Sequence, residues 1–155
     1  MSEQRHASER REVWRYPFQH EIHARYGDMD SFQHVNNVAI ARFHEDARVA
    51  FLRSLFGVEI ALRSGEYHFL VAEVRVTYLA EVAYPGAYRI GVGVGRIGRS
   101  SIVLNSGLFQ GDECLGLCDT VQVNMDHAGP TALPEERRRL LETVRFAAAV
   151  PQPAV

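Results

Sequence analysis

Residues 25–48 read RYGDMDSFQHVNNVAIARFHEDAR, and the change of period inside this stretch decides the fold. Leading into it, Phe18, His20, Ile22, Ala24 and Tyr26 fall on one face of an alternating segment, with Gln19, Glu21, His23 and Arg25 on the other. That is the pattern of a half-buried strand. From Asn37 onward the spacing switches: Ile40, Phe43, Ala47, Phe51 and Leu55 recur every three or four residues, while Arg42, Glu45, Asp46 and Arg53 fall elsewhere on the wheel. The spacing predicts a helix of about five turns with one apolar stripe. Asn36 or Asn37 is a natural N-cap and Gly57 a natural C-terminal stop. Between strand and helix, Gly27 opens a short polar loop holding Asp28, Asp30 and His34.

Downstream the chain reads as sheet. Leu70, Ala72, Val74, Val76 and Tyr78 alternate with Val71, Glu73, Arg75 and Thr77, and Tyr84-Pro85-Gly86 is a turn. Tyr88, Ile90, Val92 and Val94 begin the next alternation, and residues 95–99 connect it to a strand with Ile102, Leu104 and Leu108. A turn at Gly111-Asp112 leads into Leu115, Leu117, Val121 and Val123. Such connections are too short for parallel crossovers, so the strands form an antiparallel meander. Gly91, Gly93 and Gly95 share one face of their strand. They mark either tight packing or close passage of a ligand or partner chain. Pro134-Glu135-Glu136 opens a short helix with proline at its first position. The sum is α+β: one long helix covering one face of a five-stranded antiparallel sheet, then a short C-terminal helix.

A chain of 155 residues is most simply one domain. We expect a flexible arm over 1–15, the domain over 16–146 and a flexible tail over 147–155. A formal net charge of −2 gives no reason to expect nucleic acid or an anionic membrane as partner. No apolar run has the character of a signal peptide or the length of a membrane span, which points to the cytoplasm. Cys114 and Cys118, four apart in a strand, would lie roughly 13 Å from one another, beyond disulfide reach. No Cys/His cluster has zinc spacing, and His20 and His23 point to opposite faces, so no metal is expected. There is no G-x-S-x-G and no phosphate-binding glycine loop. The D-x-D pair lacks the apolar strand and following Thr of a Mg²⁺-dependent phosphatase.

The run D-M-D-S-F-Q-H-V-N-N at 28–37, with E-D-A-R at 45–48 on the helix, resembles the hot-dog-fold acyl-CoA thioesterases. The nearest branch is the 4-hydroxybenzoyl-CoA thioesterase type with its bacterial acyl-CoA relatives; the run is also similar to that of plant acyl-ACP thioesterases. The similarity extends in order over about residues 17–125. It implies a long central helix wrapped by the sheet, hydrolysis of an acyl- or aroyl-CoA without a cofactor, and a homo-oligomer, a dimer or dimer of dimers. A non-catalytic module binding acyl-CoA or acyl-carrier protein is the alternative on the same fold. A hot-dog hydratase would want D-x-N-x-x-H before its helix, which is absent.

The resemblance also assigns roles. Asp30 matches the catalytic carboxylate, acting as nucleophile or as general base for water. The backbone N–H of Asn37 matches the donor that polarises the thioester carbonyl, a role a helix N-terminus suits. Without the resemblance, Asp30 would read as a loop or capping residue. Asp28 is expected to support the site; were the loop extended, both acids would face the same way. His34 stands between an assisting role and a local hydrogen bond, because Phe32 occupies the asparagine position of the fuller D-x-N-x-H set. Asn36 is expected as a cap, and Glu45 as a buttress paired with Arg48. Arg99, Ser100 and Ser101, with Arg96 nearby, match the segment that contacts the coenzyme A nucleotide.

Overall fold

Alternating apolar positions and tight turns produce an antiparallel sheet that curls around one long helix. The structure is a computed structural model describing residues 8–58 and 66–147. Its elements are β1 (Phe18–His23), α1 (Asn37–Phe56), β2 (His68–Tyr78), β3 (Ala87–Ile97), β4 (Ser101–Gln110), β5 (Glu113–Asp126), β6 (Gly129–Pro130) and α2 (Glu135–Glu142). The strand order is β1-β3-β4-β5-β2, with the two-residue β6 added beside β5. Every pairing of these strands is antiparallel. The expected five-stranded α+β arrangement is therefore present, and β6 is an addition too short to leave a periodic signal.

The helix begins and ends where its capping chemistry dictates. Asn36 accepts a hydrogen bond from the Val38 N–H at 2.7 Å. At the other end Gly57 adopts a left-handed φ of 79° and donates to the Arg53 carbonyl. Ile40, Phe43, Ala47 and Phe51 are buried against Ile90, Val92 and Val94 of β3 and Leu104 and Leu108 of β4. Burying a side chain of this size contributes about 1.5–3 kcal/mol, as an upper estimate. Two polar residues share the buried side of α1, His44 and Arg48. The three-and-four spacing did not include them.

The outer face of β3 carries the glycine stripe. A Cβ on Gly91 would lie 2.5 Å from the Tyr16 ring, and one on Gly93 would lie 3.1 Å from the Phe146 backbone. Close packing is the role of these glycines. The covering comes from both chain ends: Val13, Tyr16 and Phe109 form a second small core with Phe146 against it. Residues 8–15, expected as part of a flexible arm, instead form two short 3-10 turns with Arg10 and Val13 buried. Arg10 ties them down through Asp119 at 2.9 Å and the Tyr16 hydroxyl at 3.2 Å. At the other end, Val144 O and Phe146 N bond to Val94 and extend the sheet alongside β3 ahead of the first residue of β1. The rest of the expected arm, 1–7, and of the expected tail, 148–155, lie outside the described residues.

Smaller corrections concern boundaries. β1 stops at His23, and Tyr26 opens a 3-10 turn rather than ending the strand. Pro134 is the N-cap of α2 rather than its first residue. Both cysteines are free thiols, and burial pushes each above its ordinary range. Among the described residues no helix is long and apolar enough to cross a membrane.

Candidate active site

The loop between β1 and α1 is a narrow hairpin closed by backbone bonds. Asn36 N donates to Asp28 O at 2.7 Å, Met29 and Val35 form an antiparallel bridge, and Asp30 N donates to His34 O at 3.1 Å. Asp30 therefore stands directly across the hairpin from His34. The tip turns through Gln33, whose φ of 65° is left-handed. Such a conformation costs a non-glycine residue on the order of 1–3 kcal/mol. The turn through Gln33 brings His34 back opposite Asp30.

Asp28 is the residue on which this hairpin rests. It is buried, one oxygen accepting from Arg25 N at 2.8 Å and the other from Arg42 Nη2 at 2.6 Å. It thus joins the end of β1, the helix N-cap and the second turn of α1. The two acids do not share an extended face, because the 3-10 turn at Tyr26–Asp28 turns Asp28 inward onto Arg42.

Asp30 is half-buried. Its Oδ1 accepts from Phe32 N at 2.9 Å, the local capping bond such a residue commonly makes. Oδ2 has no hydrogen-bond partner among the described residues. Beyond the hairpin, the Asn36 cap occupies Val38 N–H, and no described residue accepts from the N–H of Asn37. The Asn37 carbonyl receives the Tyr78 hydroxyl at 3.2 Å. An open carboxylate oxygen and an open N–H at the positive end of a 20-residue helix thus flank the hairpin. A cleft of about 230 Å³ lies against it, lined by Gly27, Met29, Asn36, Val38 and Arg42. A larger hollow of about 490 Å³, at Glu21, Arg89 and Gly111, contains none of the candidate residues.

His34 is held through Nε2, 3.1 Å from Glu81 Oε2. The segment carrying Glu81 is bound to the loop as well, since Val35 N donates to Val82 O at 2.8 Å. Glu45 and Arg48 form the expected i,i+3 pair at 3.3 Å. Arg48 reaches into the same buried region as His44. His44 places Nδ1 2.8 Å from Ser106 Oγ and leaves Nε2 buried without a partner. Burial, reinforced by the Arg10 and Arg48 charges, pulls its pKa from the ordinary 6.5 to about 3.

The basic turn is built separately. Gly98 N bonds to Ser101 O, Leu133 N to Arg99 O, Asn124 N to Ser100 O and Arg138 Nη2 to Gly98 O. The backbone is thereby pinned, and the side chains of Arg96 and Arg99 are exposed. Ser101 pairs with Val123, whereas Tyr78, which touches Asn37, pairs with Gly116. Seven residues of β5 separate those levels, roughly 23 Å. Within one protomer the turn and the acid loop are not brought together.

The sequence assigned no site role to Arg42, Glu81 or His44. Arg42 and Glu81 carried no local signal, and His44 is an i+4 neighbour of the apolar Ile40 that only its polarity hid.

The model of the thioesterase-like superfamily matches residues 24–147, most of the chain and all of the site described above. The chain belongs to that superfamily. Among solved structures, this thioesterase-like protein is 30% identical to the PA5185 protein of Pseudomonas aeruginosa, over 89% of this chain and 98% of that one, with a TM-score of 0.79. The PA2801 protein of the same organism is 31% identical over 78% of this chain and 95% of that one, TM-score 0.70. A Thermus thermophilus thioesterase, complexed with coenzyme A and zinc, is 26% identical over 83% of this chain and 94% of that one, TM-score 0.75. No curated protein matches the chain. The hot-dog α+β fold expected from the resemblance is the fold of this superfamily member. Among the described residues no group of three or more His, Cys, Asp or Glu side chains could hold a metal ion.

Proposed function

We propose that this superfamily member hydrolyses the thioester of an acyl- or aroyl-CoA to the free acid and coenzyme A. The observation that carries this is the pairing of an open Asp30 carboxylate oxygen with an open Asn37 N–H at the start of α1. The carbonyl oxygen accepts from Asn37, which stabilises the charge that develops on it as the carbon is attacked. Asp30 either attacks the carbon itself, expelling thiolate and leaving an anhydride for water to cleave, or takes a proton from the attacking water. Asp28 and Asn36 hold the hairpin and cap in place, while Glu45 pairs with Arg48 farther along α1. Both routes are complete without a cofactor.

Arg99 and Arg96, with Ser100 and Ser101, are proposed to receive the nucleotide phosphates, since neither arginine is paired with a carboxylate among the described residues. Their distance from Asp30 in one protomer favours a homo-oligomer. Antiparallel α1 helices in a two-fold pair would set one protomer's turn beside the other's acid loop. The edge strand β2 supports this, because Leu70, Val71, Val74 and Tyr78 are 39–47% exposed along it.

Thiol release from a panel of acyl- and aroyl-CoA esters tests the proposal. Asp30→Asn keeps the acceptor for Phe32 N, so it is expected to fold normally and lose at least about 100-fold in turnover. Equal turnover by the variant, or none by the wild type on any ester, refutes it.

A further inference from the structure

We propose that Glu81 is a positioning residue of this hydrolysis, acting through His34; the inference rests on the function proposed above. The contact is direct, His34 Nε2 lying 3.1 Å from Glu81 Oε2. A carboxylate oxygen this close to a ring nitrogen repels a lone pair there, so the contact favours the tautomer with the proton on Nε2 and leaves Nδ1 as the lone-pair nitrogen. Nδ1 has no hydrogen-bond partner among the described residues. It is therefore the nitrogen available to a bound molecule.

An ion pair between exposed side chains ordinarily contributes little, because two long chains must be ordered to make it. Here the backbone on both sides is already fixed. Leu79 N and Ala80 N both bond to Leu115 O, at 3.0 and 3.2 Å, and Val82, 1% exposed, is seated in the core. Glu81 lies between these anchors. On the other side His34 O receives Asp30 N, Val35 N reaches Val82 O, and Gln33 adopts its left-handed conformation immediately before the histidine. A backbone bond on His34, another on the residue after it and a left-handed residue before it thus hold in place a residue whose side chain makes one contact. Stability does not require that contact, since both partners are solvated.

What the arrangement does is orient. With Nε2–H held by Glu81, Nδ1 is presented on the hairpin strand opposite Asp30. There it accepts a hydrogen bond from the water that Asp30 activates, or from the water that cleaves the Asp30 anhydride. The carboxylate also balances the positive charge His34 gathers as it accepts. This is the relation between a reacting imidazole and a third group that orients it. It is assembled from two loops far apart in sequence.

The test compares Glu81→Ala, Glu81→Gln and His34→Asn, alone and combined, in steady-state hydrolysis of a CoA ester the wild type turns over. Glu81→Ala is expected to lower kcat about tenfold with KM within about twofold, the usual scale for an orienting partner. Glu81→Gln retains an acceptor oxygen and is expected to recover most of that loss. In the His34→Asn background, Glu81→Ala is expected to cost nothing further. Wild-type kcat in Glu81→Ala, or an equal loss in both backgrounds, overturns the proposal. Nitrogen-15 NMR of the His34 ring supplies a readout independent of turnover: Nε2–H in the wild type and Glu81→Gln, a tautomer mixture in Glu81→Ala. A wild type that releases no thiol refutes the hydrolase function, while an Nδ1–H tautomer in that same wild type refutes the Glu81 contact.

Discussion

The buried histidine of α1 shows how a single residue couples the stability of the fold to pH. His44 stays neutral in the folded protein because burial and two arginines hold its pKa at about 3 against an ordinary 6.5. Between those values the unfolded chain binds a proton that the folded chain refuses. Its contribution is therefore fully present above pH 6.5 and is lost as pH falls toward 3. His44→Leu removes this term. Urea unfolding midpoints measured from pH 7 down to pH 4.5 are expected to fall less steeply in the variant than in the wild type; parallel slopes would exclude His44 as a source. Asp28 makes the complementary case. Its charge is buried but matched by Arg42 at 2.6 Å and by a backbone N–H at 2.8 Å, so the hairpin beside Asp30 carries a compensated charge rather than an exposed one.

At the scale of elements, the sheet's outer face is shaped by what its residues lack. The absence of Cβ at Gly91 and Gly93 lets Tyr16 and Phe146 lie directly on β3. Tyr16 in turn meets Phe109 and Phe146 at centroid distances of 5.8 and 4.9 Å, which ties both chain ends to one strand. Gly91→Ala drives a methyl into that ring, and overpacking of this kind costs about 1–3 kcal/mol. Thermal unfolding is expected to show the loss, with turnover at 25 °C nearly unchanged because Tyr16 packs against Phe109 and Phe146 rather than against the acid loop. A variant as stable as the wild type would mean that Tyr16 moves freely aside. The helix divides its work by position: its first turn supplies the open N–H, its stripe supplies the core, and His44 and Arg48 lie buried along one flank.

For the whole molecule, the distance between the acid loop and the basic turn is the decisive quantity. A coenzyme A held by both must meet two ends of the strand direction, which the proposed two-fold pairing along β2 would reconcile. Val74, 46% exposed on that edge, tests it. Val74→Lys is expected to convert the oligomer to monomer by light scattering and to abolish turnover together with it. An unchanged mass, or an active monomer, would place the interface elsewhere.

Much of this was legible in the order of residues because it depends on neighbours a few positions apart. The α1 stripe, the Asn36 cap, the Gly57 stop, the hairpin turns and the Glu45–Arg48 pair each follow from local spacing and local hydrogen bonds. The D-x-D…H-V-N-N run carried the family for the same reason. Other features join residues distant along the chain, and no local pattern encodes them. Asp28 meeting Arg42, Glu81 meeting His34, and Arg10 crossing to Asp119 were decided by how the sheet curls around the helix. That curl turned an expected free arm into packed 3-10 turns, because burying Tyr16 and Val13 over the glycine face offsets the entropy of ordering them. It also set the Arg99 turn far from Asp30. Local chemistry determined which groups are present; the packing of sheet, helix and loops decided which of them meet.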